Sequence, residues 1–218
     1  MENINPFISY LVNQGVPLDT VVLLLMLPLI VTLIAFFRQV IGIKAFGIYT
    51  PAIVTFAFLS FQYLRYGIVV FASVIVLGMI MRFVLRKLRI LYLPRVAITL
   101  SMIALMIMLL LGFGGAMHRT GLAAISIFPI LIMITLVEKF VATQIEKGNK
   151  AAVILAIETL LISVAGYYLA SWPLLIKSII AFPWIILLTI PVNILLGKWG
   201  GLRLSEYFRF KEVLKNMK

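Results

Sequence analysis

The sequence predicts an all-α, polytopic membrane bundle of seven transmembrane helices, with the N-terminus outside and the C-terminus in the cytoplasm. Three observations carry this expectation. Of the 218 residues, 64% are hydrophobic and 12% charged, and the mean hydropathy is +1.18; a water-soluble domain needs far more polar surface than this. The apolar residues fall into seven runs, each near the ~20 residues that a helix needs to cross a bilayer core of about 30 Å. The basic residues gather in alternate connections between the runs.

The first run, Thr20 to Ile41, follows a short segment, residues 1–19, that carries Glu2 and Asp19 but no Lys or Arg. A secretory signal starts with basic residues, so the run reads as a retained span behind a short extracytoplasmic segment. The second run, Gly47 to Tyr63, is the least regular. Its Thr50-Pro51 pair reads as an N-cap followed by proline at the first helical position, which leaves eleven residues to Phe61. Gly47, Thr50 and Pro51 thus form a broken-helix motif, expected in either a short tilted span or a re-entrant one.

The third run, Tyr66 to Leu85, continues as RFVLRKLRILYLP, placing Arg82, Arg86 and Arg89 on one helical face with Lys87 close by. These four residues form a candidate basic cytoplasmic surface for anionic lipid headgroups or an acidic partner. The remaining runs are Pro94 to Phe113, Gly121 to Gln144, Lys150 to Ser171 and Leu174 to Gly197. Pro129, Pro183 and Pro191 predict kinks, and Asn193 stands where it can cap backbone freed at Pro191. The bundle, residues 20–197, ends in an amphipathic basic tail, residues 198–218, with Trp199, Tyr207, Phe208 and Phe210 suited to the interface.

With these spans, sixteen of the nineteen Lys and Arg residues fall on one side, leaving Arg65, Arg119 and Lys177 on the other. The positive-inside bias makes the richer side cytoplasmic. It also accounts for the net charge of +12 without nucleic acid, because the basic residues cluster between apolar runs instead of spreading over a solvated fold.

Enzymatic chemistry finds little support. There is no cysteine and one histidine, His118, and the single aspartate is Asp19. Nucleophile, base and orienting acid cannot be assembled from this set, nor can a metal cage, and no cofactor is expected. The distinctive residues are instead two carboxylates inside apolar helices. Glu138 lies six residues before Gln144, about 9 Å deep, and Glu158 eight residues after Lys150, about 12 Å deep. An ion at such depth needs a partner or a wet cavity. Arg38 and Arg95, at the inner ends of their spans, approach the same depth, and Thr135 shares the face of Glu138. These five residues form a candidate buried polar network: a lock on helix packing, or a site open to the cytoplasm. The short turn EKGNK leads us to expect the two carboxylates to meet on the bundle side of an antiparallel pair.

The stretches NQGVPLDTVVLLLMLPLI, FRQVIGIKAFGIYTPAI, LRILYLPRVAI, FPILIMITLVEKFVATQIEKG and NILLGKWGGLRLSEYFRF resemble a bacterial family whose seven-transmembrane domain is usually fused to an inactive transglutaminase-like domain. The likeness runs from Asn13 to Phe210 and contains no catalytic signature. It implies a multi-pass protein of the bacterial inner membrane, with the transglutaminase-like part outside the cytoplasm; as only nineteen residues precede the first span, that part is expected to be missing or encoded separately. It also implies a cytoplasmic ATP-grasp peptide ligase as partner. The function expected is a non-enzymatic sensor or scaffold relaying to cytoplasmic partners, with a transporter or exporter component carrying a buried charged site as the alternative.

Overall fold

The structure, a computed structural model, describes residues 5–61, 63–85, 91–116, 127–198, 200 and 204. The elbow residues Arg86, Lys87 and Arg89, the connection with His118 and Arg119, Trp199 and the tail from Ser205 to Lys218 lie outside them. Every element among the described residues is helical. The chain divides into two compact units, one formed by Met1–Lys44 with Ala165–Lys218, the other by Ala45–Val164.

The first unit opens with α1, Pro6–Asn13, capped by Asn5, whose side chain accepts from the Phe7 N–H at 3.0 Å, with Pro6 in the first turn. Helix α2, Leu18–Phe36, has Asp19 in its first turn, where a carboxylate complements the helix dipole. It carries Pro28 within it and runs into a π-helical turn, Phe37–Ile41, ended by Gly42. Ile8, Met26, Ile30, Ile34 and Ile179 are fully or nearly fully buried and form this unit's core.

Two further helices complete the described part of this unit. Helices α7, Pro173–Ala181, and α8, Thr189–Gly197, are separated by a 3-10 turn, Pro183–Leu188; Phe182 leaves the helical region at φ −131° and ψ 75°. The axis bends there by 105°. The expected kink at Pro183 is thus a full break, whereas Pro191 lies in the first turn of α8, where its missing N–H costs nothing. Asn193 does not serve Pro191. Its Nδ2 donates to the Thr189 carbonyl and to Thr32 Oγ1 on α2, both at 2.7 Å.

The second unit holds α3, Tyr49–Leu59, α4, Leu64–Leu85, and α5, Tyr92–Ala116. It also holds most of α6, Ile127–Ala170, which is interrupted at Gly148 by φ 85° and ψ 169°, a conformation that only glycine adopts without strain. The arms of α6 fold back on each other. Phe46 proves this: its ring meets Phe140 edge-on at 6.4 Å while its N–H reaches Thr159 at 3.1 Å. Nineteen residues of straight helix would instead hold Phe140 and Thr159 about 28 Å apart.

Close approach replaces bulk at two crossings. A Cβ on Gly67 of α4 would stand 2.6 Å from a Phe58 ring carbon of α3, and one on Gly78 would meet Val137 at 3.2 Å. Small residues let apolar helices approach where lipid supplies no hydrophobic drive.

Stretches 18–41, 64–85 and 128–170 are long and apolar enough to cross a membrane, and the bent α7–α8 pair makes a fourth candidate. No more than a third of the most apolar eighteen residues of any of the three is buried, and Leu24, Phe83, Met108 and Leu161 are among many exposed large apolar side chains. Such surface is tolerable against hydrocarbon and ruinous in water. The chain is therefore a multi-pass helical protein embedded in a membrane. Helix α3, with eleven residues, is about 16 Å long and spans about half a bilayer core.

Candidate functional site

The polar centre of the second unit is built on the chain that enters α3. Ala45 has φ 45° and Gly47 φ 87°. A left-handed alanine costs roughly 1–2 kcal/mol, so something must hold it. That something is the second arm of α6: the Ala45 N–H donates to Glu158 Oε2 at 2.9 Å, and the next N–H, of Phe46, donates to Thr159 Oγ1 at 3.1 Å. Bonds between a carboxylate and an N–H are about twice as strong as neutral ones.

A second layer lies one turn along. Ser163 Oγ lies 3.1 Å from the Pro51 carbonyl and 2.8 Å from the Thr159 carbonyl, and Thr55 Oγ1 lies 2.8 Å from the same Pro51 oxygen. Thr55, Thr159 and Ser163 are fully buried. Hydroxyls that return to helix carbonyls in this way satisfy themselves without water. The arrangement clamps α3 to the hairpin through four polar side chains. It contains no nucleophile beside a base.

The helix start differs from expectation by two residues. Helix α3 begins at Tyr49, Pro51 is its third residue, and Thr50 Oγ1 donates to the Phe46 carbonyl at 2.9 Å instead of accepting as an N-cap. The positive φ of Gly47 turns the chain early enough for the helix to start ahead of Thr50.

Thr135 and Glu138 are placed away from this centre. Glu138 and Thr135 share a face, but that face is exposed, and the Thr135 hydroxyl returns to the Ile132 carbonyl at 2.7 Å. The expectation that Glu138 turns into the bundle is corrected by the pattern of its arm: Met133, Val137, Phe140 and Gln144 form the buried stripe, and a residue following Val137 points about 100° away from it. Glu158 flanks the buried Ala156–Thr159–Ser163 stripe on the other arm and is half-buried. Arg95 is half-buried in the first turn of α5 with its Nε enclosed, Arg82 is half-buried near the end of α4 with one Nη enclosed, and Arg38 is half-buried on the π-helical turn of the first unit.

Thr55, Thr159, Ser163 and the backbone of Ala45 and Phe46 escaped the sequence reading. The available signal was spacing: Thr159 and Ser163 are four residues apart directly after Glu158, and Thr55 follows Pro51 by four. Gln144, fully buried with neither amide atom hydrogen-bonded among the described residues, gave none.

No protein of curated function and no solved structure matches the chain. Residues 11–214 match a family model described as seven transmembrane helices usually fused to an inactive transglutaminase. The apolar helices agree with that description, and the chain belongs to this family of seven-transmembrane domains.

Proposed function

We propose that the protein is a non-enzymatic sensor or scaffold module of the inner membrane, with seven passes, the N-terminus outside and the C-terminus in the cytoplasm. It relays the state of an extracytoplasmic transglutaminase-like domain or protein to cytoplasmic partners, among them an ATP-grasp peptide ligase. The observation that carries this reading is the Glu158–Ala45 contact. A carboxylate within an apolar helix is committed to the backbone of a strained segment 113 residues away in the chain, so movement of that segment is felt directly by the hairpin. The family's usual fusion to an inactive transglutaminase supports an external partner of that type.

Transport is the second reading. The eleven-residue α3 and the 105° break between α7 and α8 favour it, because broken helices line the sites of many transporters.

Affinity capture of the tagged full chain from native membranes separates the two. The relay reading expects a transglutaminase-like protein or an ATP-grasp ligase to co-purify, with recovery reduced by Glu158→Ala in a variant that still melts cooperatively. Capture of neither, together with solute flux in reconstituted vesicles, would replace relay by transport.

A further inference from the structure

A cleft of roughly 380 Å³ lies where the end of α4 meets the turn of the α6 hairpin, lined by Met79, Ile80, Arg82, Phe83 and Asn149. We propose that it holds one anionic phospholipid, the phosphate on Arg82 and Asn149 and an acyl chain along Ile80 and Phe83. The proposal rests on the reading of this end of α4 as lying at a membrane face, and it names a ligand and a site that the relay does not require.

The lining has two characters. Arg82 is half-buried with one guanidinium nitrogen enclosed, and Asn149 follows the positive-φ Gly148 at the hairpin turn. Guanidinium is a forked donor matched to phosphate oxygens, and an amide adds two further N–H groups. Exposed Lys147 and Lys150 flank Asn149 in the chain and exposed Glu146 precedes them, so the hairpin turn is basic on balance. That balance selects an anion.

The other three described lining residues are apolar, and Phe83 is 75% exposed and Ile80 46% exposed. They continue along α4 to Val76, 54% exposed; positions four and three residues apart form one stripe on a helix. A free phosphate would leave this stripe unused. A phospholipid uses both parts, the headgroup at the basic end and the chain running toward the middle of the span.

Native mass spectrometry of the full chain, released from nanodiscs of mixed phosphatidylglycerol and phosphatidylcholine with matched acyl chains, tests this. The wild type should retain one phosphatidylglycerol with about tenfold preference, the size expected of one charge-assisted contact. Arg82→Gln should bring the preference near unity, and Ile80→Trp should fill the cleft and lower retention of both lipids. Arg65→Gln should change nothing, because that guanidinium is stacked on Tyr63 and Tyr66 at 5.0 and 4.9 Å at the far end of α4. Glycerol 3-phosphate should bind no tighter to the wild type than to Arg82→Gln.

Equal retention of the two lipids by the wild type would overturn the proposal. So would loss of preference on changing Arg86, Lys87 and Arg89 to Gln but not on Arg82→Gln, which would assign it to diffuse charge. Tight binding of glycerol 3-phosphate would overturn it in favour of a soluble anion, and displacement of lipid by an acidic peptide would make the cleft a protein site. A chain that resists carbonate extraction yet shows no preference refutes the lipid site alone; extraction by carbonate would refute the membrane placement as well.

Discussion

The carboxylate of Glu158 accepts the backbone N–H of Ala45 at 2.9 Å, joining the middle of a long apolar helix to a left-handed residue 113 positions earlier. Removing either partner therefore has consequences at both ends. Glu158→Ala should destabilise the protein by about 1.5–3 kcal/mol, the range for a hydrogen bond to a charged group. Glu158→Gln keeps an amide oxygen that can accept, and should cost less. Thermal unfolding in detergent, followed by loss of cooperative melting, orders the two variants; equal losses would mean that the Ala45 contact contributes nothing.

Ala45 itself offers the converse experiment. Ala45→Gly relieves a left-handed penalty of roughly 1–2 kcal/mol against a gain in unfolded-chain freedom of about 0.5–1 kcal/mol, so the variant should be more stable by up to about 1.5 kcal/mol. Ala45→Val should lose more than about 1 kcal/mol, since a β-branched residue fits positive φ poorly. A destabilised glycine variant would contradict the strain at this residue.

Gly67 tests the α3–α4 crossing. A Cβ there would meet the Phe58 ring at 2.6 Å, and Phe58 is fully buried against Phe71, so Gly67→Ala should cost about 1–3 kcal/mol by overpacking. Gly112 has nothing within 4 Å of an added Cβ; Gly112→Ala should gain about 0.5–1 kcal/mol from helix propensity. Opposite signs in paired melting curves are the expected result.

Asn193 and Thr32 tie α8 to α2 at 2.7 Å. In a double-mutant cycle with Asn193→Ala and Thr32→Ala, the coupling should be about 0.6 kcal/mol, the average for polar contacts between membrane helices. Strictly additive losses would show the bond to be silent.

Topology is accessible to reporters. Seven spans would put sixteen of the nineteen basic residues on one side, and the positive-inside bias then places Lys218 in the cytoplasm and Met1 outside. A C-terminal reporter that is active only outside the cytoplasm should therefore be silent, and activity there would reverse the assignment.

The family resemblance, the all-helical class and the membrane embedding were legible in the sequence because each depends on local quantities: hydropathy summed over a window, and glycine or proline where a helix must stop. The hairpin centred on Gly148 and the shortness of α3 were readable for the same reason. Tertiary structure alone decided what the charged residues do. Fifth and sixth runs that are apolar on every side give periodicity no inward direction to report, so Glu138 and Glu158 looked equivalent from the sequence. Packing made them different, because the stripe from Met133 through Val137 and Phe140 to Gln144 turns Glu138 outward, while the Ala156–Thr159–Ser163 stripe brings Glu158 beside Ala45. The Ala45 partner of that carboxylate is a backbone N–H, which every residue but proline possesses and which therefore leaves no mark in a sequence until the fold brings it within reach.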